Sequence, residues 1–163
     1  MTTRILQMIF CAAIWFGAGI APATSADGLL MSRPEDLGGA AEKMVTLEEL
    51  RALPQVSLTV DLEFLDGTKE FRGPLLRDVV QIMGHGTGTM AHLTAINDYA
   101  IDVPLADFDR YDVILALEMD GMPLSVRDKG PIWVMYPIND HEELRDPETN
   151  NKLIWQLVRL EVQ

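Results

Sequence analysis

The chain has 163 residues, with 13 Lys and Arg against 25 Asp and Glu, for a formal net charge of −12. At 48% hydrophobic and 23% charged residues it has the composition of a one-domain globular protein able to bury its own core. The acid excess repels nucleic acid and anionic lipid alike, and a single cysteine excludes a disulfide scaffold or a multi-cysteine zinc site.

The first segment reads as an export address. Arg4 supplies a positive start, the run Met8 to Ile20 is uncharged, Pro22 breaks it, and Thr24-Ser25-Ala26 offers small residues for cleavage. The run falls short of the ~20 helical residues a hydrocarbon core requires, so residues 1–26 read as a signal peptide, with an uncleaved anchor as the alternative. Cys11 follows Phe10, not the small residue of a lipoprotein signal. The mature chain would begin near Asp27, contain no cysteine, and lie in the periplasm without membrane insertion.

Residues 27–45 mix Gly, Ser, Pro and charge and read as an N-terminal arm, leaving 46–163 as the folded domain. Thr46 with Glu49 forms a capping box before Leu47, Leu50 and Leu53, and Pro54 ends that helix. Val56, Leu58, Val60, Leu62 and Phe64 alternate with polar residues, predicting a half-buried strand. Asp66-Gly67 turns it into a partner strand from Lys69 to Phe71. Gly73-Pro74 opens the next helix, with Leu75, Leu76, Val79, Val80 and Met83 as its apolar stripe and Gly84 as its stop. Further strands are expected over His92–Ile96, Ile101–Val103, Val113–Met119, Ile132–Tyr136 and Leu153–Val162, with an Asp120-Gly121 turn and a polar loop from Asn139 to Asn151. The predicted class is α+β, a single domain with a mixed, largely antiparallel sheet.

Conventional catalytic patterns are missing. The glycines from Gly84 to Gly88 follow a helix and precede a strand, the reverse of a dinucleotide-binding context, and read as a connector. His85, His92 and His141 lack ligand spacing. Asp107, Asp109 and Asp112 have no turn glycine or terminal glutamate behind them and read as solvated acids. What remains is a set of aromatics, arginines and acids near turns: Asn97-Asp98-Tyr99, the loop Ser125 to Pro131 with Arg127 and Asp128, then Trp133, Tyr136, Arg145 and Trp155. Such groups suit a flat heteroaromatic ligand, which needs aromatic faces, a carboxylate for paired N–H donors and an arginine for ring oxygens. Composition alone favours the plainer reading, with Trp133 and Trp155 as core residues and Arg127 with Asp128 as a turn ion pair, because strand aromatics usually fill cores.

Met119-Asp120-Gly121-Met122-Pro123-Leu124, then Gly130-Pro131 and an apolar strand, resembles the molybdopterin-binding domain of the sulfite-oxidase superfamily. Ile154-Trp155-Gln156-Leu157 with Leu160-Glu161-Val162 is similar to its closing segment, and Gly73-Pro74-Leu75-Leu76 to its gate segment. In that family a cysteine thiolate binds molybdenum, and the mature residues here offer none. The export segment, the missing thiol, Ser125 to Pro131 and Glu143-Leu144-Arg145-Asp146 more closely resemble small periplasmic pterin-binding proteins, which share this fold and signal to membrane-bound cyclic di-GMP regulators.

That resemblance implies a reduced pterin as ligand without a metal, binding rather than catalysis, and the periplasmic domain of an inner-membrane signalling protein as partner. The alternative it implies is a molybdopterin-dependent oxidoreductase. By the same resemblance Asp128, then Asp98, would accept the 2-amino and N3–H pair, and Arg127 would donate to the O4 or N5 edge. Trp155 would stack, with Tyr99 or Tyr136 opposite, and Asn97 and Arg77 complete the candidate set.

Overall fold

The computed structural model describes residues 28–38 and 41–163. The signal-peptide reading of residues 1–26 lies outside the described residues.

The stretch expected to be an arm supplies two strands of the main sheet. Gly28–Arg33 forms β1 and Ala41–Thr46 forms β2, paired antiparallel from Gly28 opposite Thr46 to Arg33 opposite Ala41. Leu29, Met31 and Val45 are buried from alternate positions, and a sheet with one covered face asks no more than that. Glycine and charge around them mask so short a period.

Thr46 then caps α1 (Leu47–Ala52) as anticipated. The Glu49 N–H donates to Thr46 Oγ1 at 3.1 Å, and the Thr46 N–H donates to Glu49 Oε2 at 2.8 Å. β3 (Gln55–Asp61) and β4 (Thr68–Pro74) form the hairpin around Asp66-Gly67, with Gly67 at φ 69°. Two boundaries differ from expectation. β3 ends at Asp61, because the chain folds back so that the Leu65 N–H donates to the Leu62 carbonyl at 2.9 Å, which leaves Phe64 exposed. Gly73 and Pro74 close β4 and do not open α2 (Leu76–Gln81). Gly73 is required by a close approach, since a Cβ there would overlap the Leu115 carbonyl.

The remaining elements are β5 (Met90–Ala95), β6 (Ala100–Pro104), α3 (Leu105–Arg110), β7 (Ile114–Ala116), β8 (Glu118–Met119), β9 (Met122–Pro123), β10 (Trp133–Met135), α4 (Pro147–Lys152) and β11 (Leu157–Val162). The expected strand over Val113–Met119 thus splits at Leu117, and the last strand starts four residues late, after Trp155 makes a single bridge to Trp133. Helices α3 and α4 occupy segments expected to be irregular. α4 has no apolar period; instead Asp146 accepts from the Glu148 N–H at 2.8 Å and Pro147 fills the first position.

Strand order is β2-β1-β11-β5-β6 in one sheet and β3-β4-β8-β9 in another, with β7-β10 as a separate pair. β1 runs parallel to β11, and the other named pairs are antiparallel. This is the α+β, mixed and largely antiparallel single domain expected from the sequence. Phe71, Phe108, Trp133 and Tyr136 are the largest side chains of its core. Among the described residues no helix is long and apolar enough to cross a membrane.

Candidate functional site

The β5–β6 turn, the end of α4 and the segment entering β11 enclose a cavity of about 250 Å³. Its walls are Ala95, Asn97, Tyr99, Asn150, Asn151, Leu153, Ile154 and Trp155. Pockets for drug-sized molecules start near ~300 Å³, so this one is proportioned for a small two-ring heterocycle.

Local backbone chemistry sets each wall. Asp98 occupies the left-handed position of the turn at φ 64°, with the Ala95 N–H donating to the Tyr99 carbonyl at 2.8 Å. The Asn97 side-chain oxygen accepts from the Tyr99 N–H at 3.2 Å, which fixes the amide at the rim. The Tyr99 hydroxyl donates across the cavity to the Asn151 carbonyl at 3.1 Å. The Trp133 indole donates to the Leu153 carbonyl at 3.1 Å and meets Trp155 edge to face at 6.4 Å. Trp155 itself keeps 41% of its surface in solvent.

A second depression of about 520 Å³ lies beside the first, and Asn150 belongs to both. Asp61, Leu62, Glu63, Phe64, Ile138, Asn139 and Arg145 complete it. Asn139 Oδ1 accepts from the Asp61 N–H at 3.3 Å, and Arg145 donates to the Asn139 carbonyl at 3.3 Å. Carboxylates, a guanidinium, amides and the Phe64 ring line this second depression, while the first is lined by Tyr99, Trp155, amides and aliphatic side chains.

Lys129 lines neither depression but lies against rings of both. Its ammonium sits 4.5 Å from the Phe64 ring centre, 4.9 Å from Trp133 and 5.1 Å from Trp155. Burial lowers its pKa below the ordinary lysine value. Lys129 and Gln156 both hold the left-handed conformation, at φ 65° and 53°. Gln156 ties the two walls together: its N–H donates to the Lys129 carbonyl at 3.0 Å, and its carbonyl accepts from the Ile96 N–H at 3.0 Å. Three of the four non-glycine residues at positive φ among the described residues, Asp98, Lys129 and Gln156, flank this cleft, and such conformations concentrate where geometry serves a site.

Of the residues singled out from the sequence, Asn97, Tyr99 and Trp155 come together in one cavity, with Asp98 shaping its turn. Arg127 and Asp128 lie exposed on the neighbouring Ser125–Lys129 loop and line neither depression. Asp128 accepts from Ser125 Oγ at 2.6 Å. Tyr136 offers no face to the cleft. It is fully buried, its hydroxyl donates to Asp107 Oδ2 at 3.1 Å, and burial pushes its pKa well up. Arg77 is remote, paired with Asp112 at 2.8 Å and lining a separate hollow with Gln81 and His85. Asp107 is no solvated acid, since it also accepts from Lys152 Nζ at 2.8 Å.

Sequence reasoning missed Glu63, Phe64, Lys129, Asn139 and Asn150 as site residues and left Arg145 as a loop residue. The sequence carried little signal for them, since Phe64 continues the alternation and only the end of β3 at Asp61 sets it apart.

The chain belongs to the oxidoreductase molybdopterin binding domain family, which matches residues 36–139. Among solved structures it is similar to the sulfane dehydrogenase SoxCD from Paracoccus pantotrophus, with a TM-score of 0.60 and 15% identity over 85% of this chain. It spans 39% of that protein's chain, and at this identity the likeness speaks for the fold alone. No curated protein matches.

The donor set fits one part of molybdopterin and not the other. Rings, amides, Arg145 and Glu63 suit a pterin, whereas the described residues include no thiolate for molybdenum, Cys11 lying outside them. No three His, Cys, Asp or Glu side chains converge as a metal site among the described residues.

Proposed function

We propose that this protein binds a reduced pterin in the Trp155 cleft, without molybdenum, and acts as a periplasmic ligand sensor for a membrane-bound enzyme that makes or breaks cyclic di-GMP. The observation that carries the reading is an open, ring-walled cavity beside a guanidinium and carboxylates, in a molybdopterin-domain fold without a cysteine in its described residues. Trp155 provides the stacking face, and the Asn97, Asn150 and Asn151 amides supply donors and acceptors around the ring edge. Glu63 takes the role of acceptor for the paired 2-amino and N3–H groups, and Arg145 that of donor to the ring oxygen, because both line the depression that adjoins the Trp155 cavity at Asn150, while Asp128 and Arg127 line neither. Sensing requires the loaded and empty forms to dock differently on the partner, since a ligand without differential affinity shifts no equilibrium.

Native mass spectrometry of protein released gently from the periplasm tests this: a co-purifying mass near that of a bare pterin is expected. Calorimetry with 7,8-dihydropterin should show binding that Trp155→Ala and Glu63→Gln each weaken by roughly 1–3 kcal/mol while the fold persists. The family match favours a second reading, a molybdopterin-dependent oxidoreductase. Stoichiometric molybdenum in the purified protein would establish that reading and remove the first.

A further inference from the structure

We propose that Gln156 is a positioning residue: its side-chain amide sets the Trp155 ring for stacking and couples the cleft to the Ser125–Lys129 loop. The inference rests on the pterin reading of the same cleft. On the core side this segment is held by the Val134 N–H donating to the Ile154 carbonyl at 2.9 Å and the Leu157 N–H donating to the Ile132 carbonyl at 3.0 Å. Three bonds from Gln156 hold its other side. The Gln156 carbonyl accepts from the Ile96 N–H at 3.0 Å, its N–H donates to the Lys129 carbonyl at 3.0 Å, and its Nε2 donates to the Val126 carbonyl at 2.7 Å. Ile96 sits between the cavity-wall residues Ala95 and Asn97, and Gln156 directly follows Trp155, another wall residue. One side chain thereby latches two wall-bearing segments to a loop outside the cavity.

The glutamine side chain is more telling than the turn it occupies. Glycine adopts a φ of 53° freely, whereas a residue with a Cβ is strained there. Such strain persists where surrounding bonds over-determine it, and the Gln156 amide supplies one by reaching Val126. The loop in turn lays the Lys129 ammonium 5.1 Å from the Trp155 ring centre, so its placement bears on the ring directly. A ligand that binds the latched form better must by linkage favour the latched form itself. Loaded protein then holds Val126, Arg127 and Asp128, all exposed, in one arrangement that a partner can read.

Gln156→Gly keeps the left-handed backbone and removes the amide, and Gln156→Lys restores a donor of similar reach. Calorimetric titration with 7,8-dihydropterin should show Gln156→Gly binding roughly 3- to 10-fold weaker than wild type, the span of one net hydrogen bond, and Gln156→Lys within about 2-fold of it. Amide exchange followed by NMR supplies a readout that a merely structural role would not move. Saturating pterin should slow exchange at Asp128 and Gly130, whose N–H groups close the loop onto the Ser125 carbonyl at 2.9 and 2.7 Å, in wild type but not in Gln156→Gly. The wild-type exchange measurement stands whether or not the variants fold. Undiminished affinity in Gln156→Gly, equal weakening in both variants, or loop exchange in wild type that ignores pterin overturns the inference while leaving pterin binding intact. Absence of binding to wild type overturns the pterin reading, and this inference with it.

Discussion

Replacing Asp107 by asparagine asks how the end of the cleft formed by α4 is held in place. Asp107, on α3, accepts from Tyr136 in the core and from Lys152 at the end of α4, so one carboxylate ties three segments together. The Asp107 and Lys152 side chains retain 18% and 25% of their exposure, which makes the pair less screened than a surface bridge. Two hydrogen bonds to an ionised acceptor contribute ~1.5–3 kcal/mol each, and an amide oxygen would retain about 1 kcal/mol of that. Asp107→Asn should therefore lower stability by about 2–5 kcal/mol, a fall of roughly 6–20 °C in Tm for a domain of this size. Because Asn150 and Asn151 ride on the end of α4, pterin affinity should fall as well, even far below the new Tm. Thermal unfolding followed by circular dichroism, with calorimetric titration at 15 °C, measures both. A loss under about 0.5 kcal/mol with unchanged affinity would refute the claim that this carboxylate positions the site.

Gly73→Ala should prevent folding or destabilise by more than ~3 kcal/mol, because its methyl group would overlap the Leu115 carbonyl and force β4 off β7; expression and urea denaturation decide it. Thr46→Ala removes one half of the capping box and should lower the urea-derived stability by about 1 kcal/mol without altering ligand affinity. Burial raises the Tyr136 pKa in the folded protein above its unfolded value, so its contribution is complete below pH ~10 and is lost as pH rises beyond that. Wild type should accordingly lose stability between about pH 10 and 11 more steeply than Tyr136→Phe, and parallel curves in alkaline denaturation would contradict the assignment of that burial.

Local signals in the sequence translated well into structure. Thr46 with Glu49, the β3 alternation, Asp66-Gly67 and Asp120-Gly121 each act within a few residues, and the fold uses all of them. Long-range pairing left weaker traces: nothing near Leu29 or Met31 announces a parallel partner in β11. α4 was hidden because its stability comes from the Asp146 cap and from Asp107 gripping Lys152, not from an apolar stripe. The site was half legible for the same reason. Asn97, Tyr99 and Trp155 stand at strand breaks that can be read locally, whereas Glu63, Asn139, Arg145 and Asn150 meet only after three separate segments converge. Tyr136 looked equivalent to Tyr99 by residue type, and only packing separates a core phenol from a rim phenol.

The position of β11 carries a consequence for how the polypeptide matures. Ser32 in β1 lies beside Glu161 in β11, 129 positions later, and β11 is the seam between the β1–β2 hairpin and the β5–β6 hairpin. Until the ribosome has delivered that seam, the two hairpins have no shared partner and the largest sheet cannot close. Such wiring delays closure of the largest sheet until the last strand has been made, and truncation ahead of Leu157 would leave its two hairpins without a shared partner.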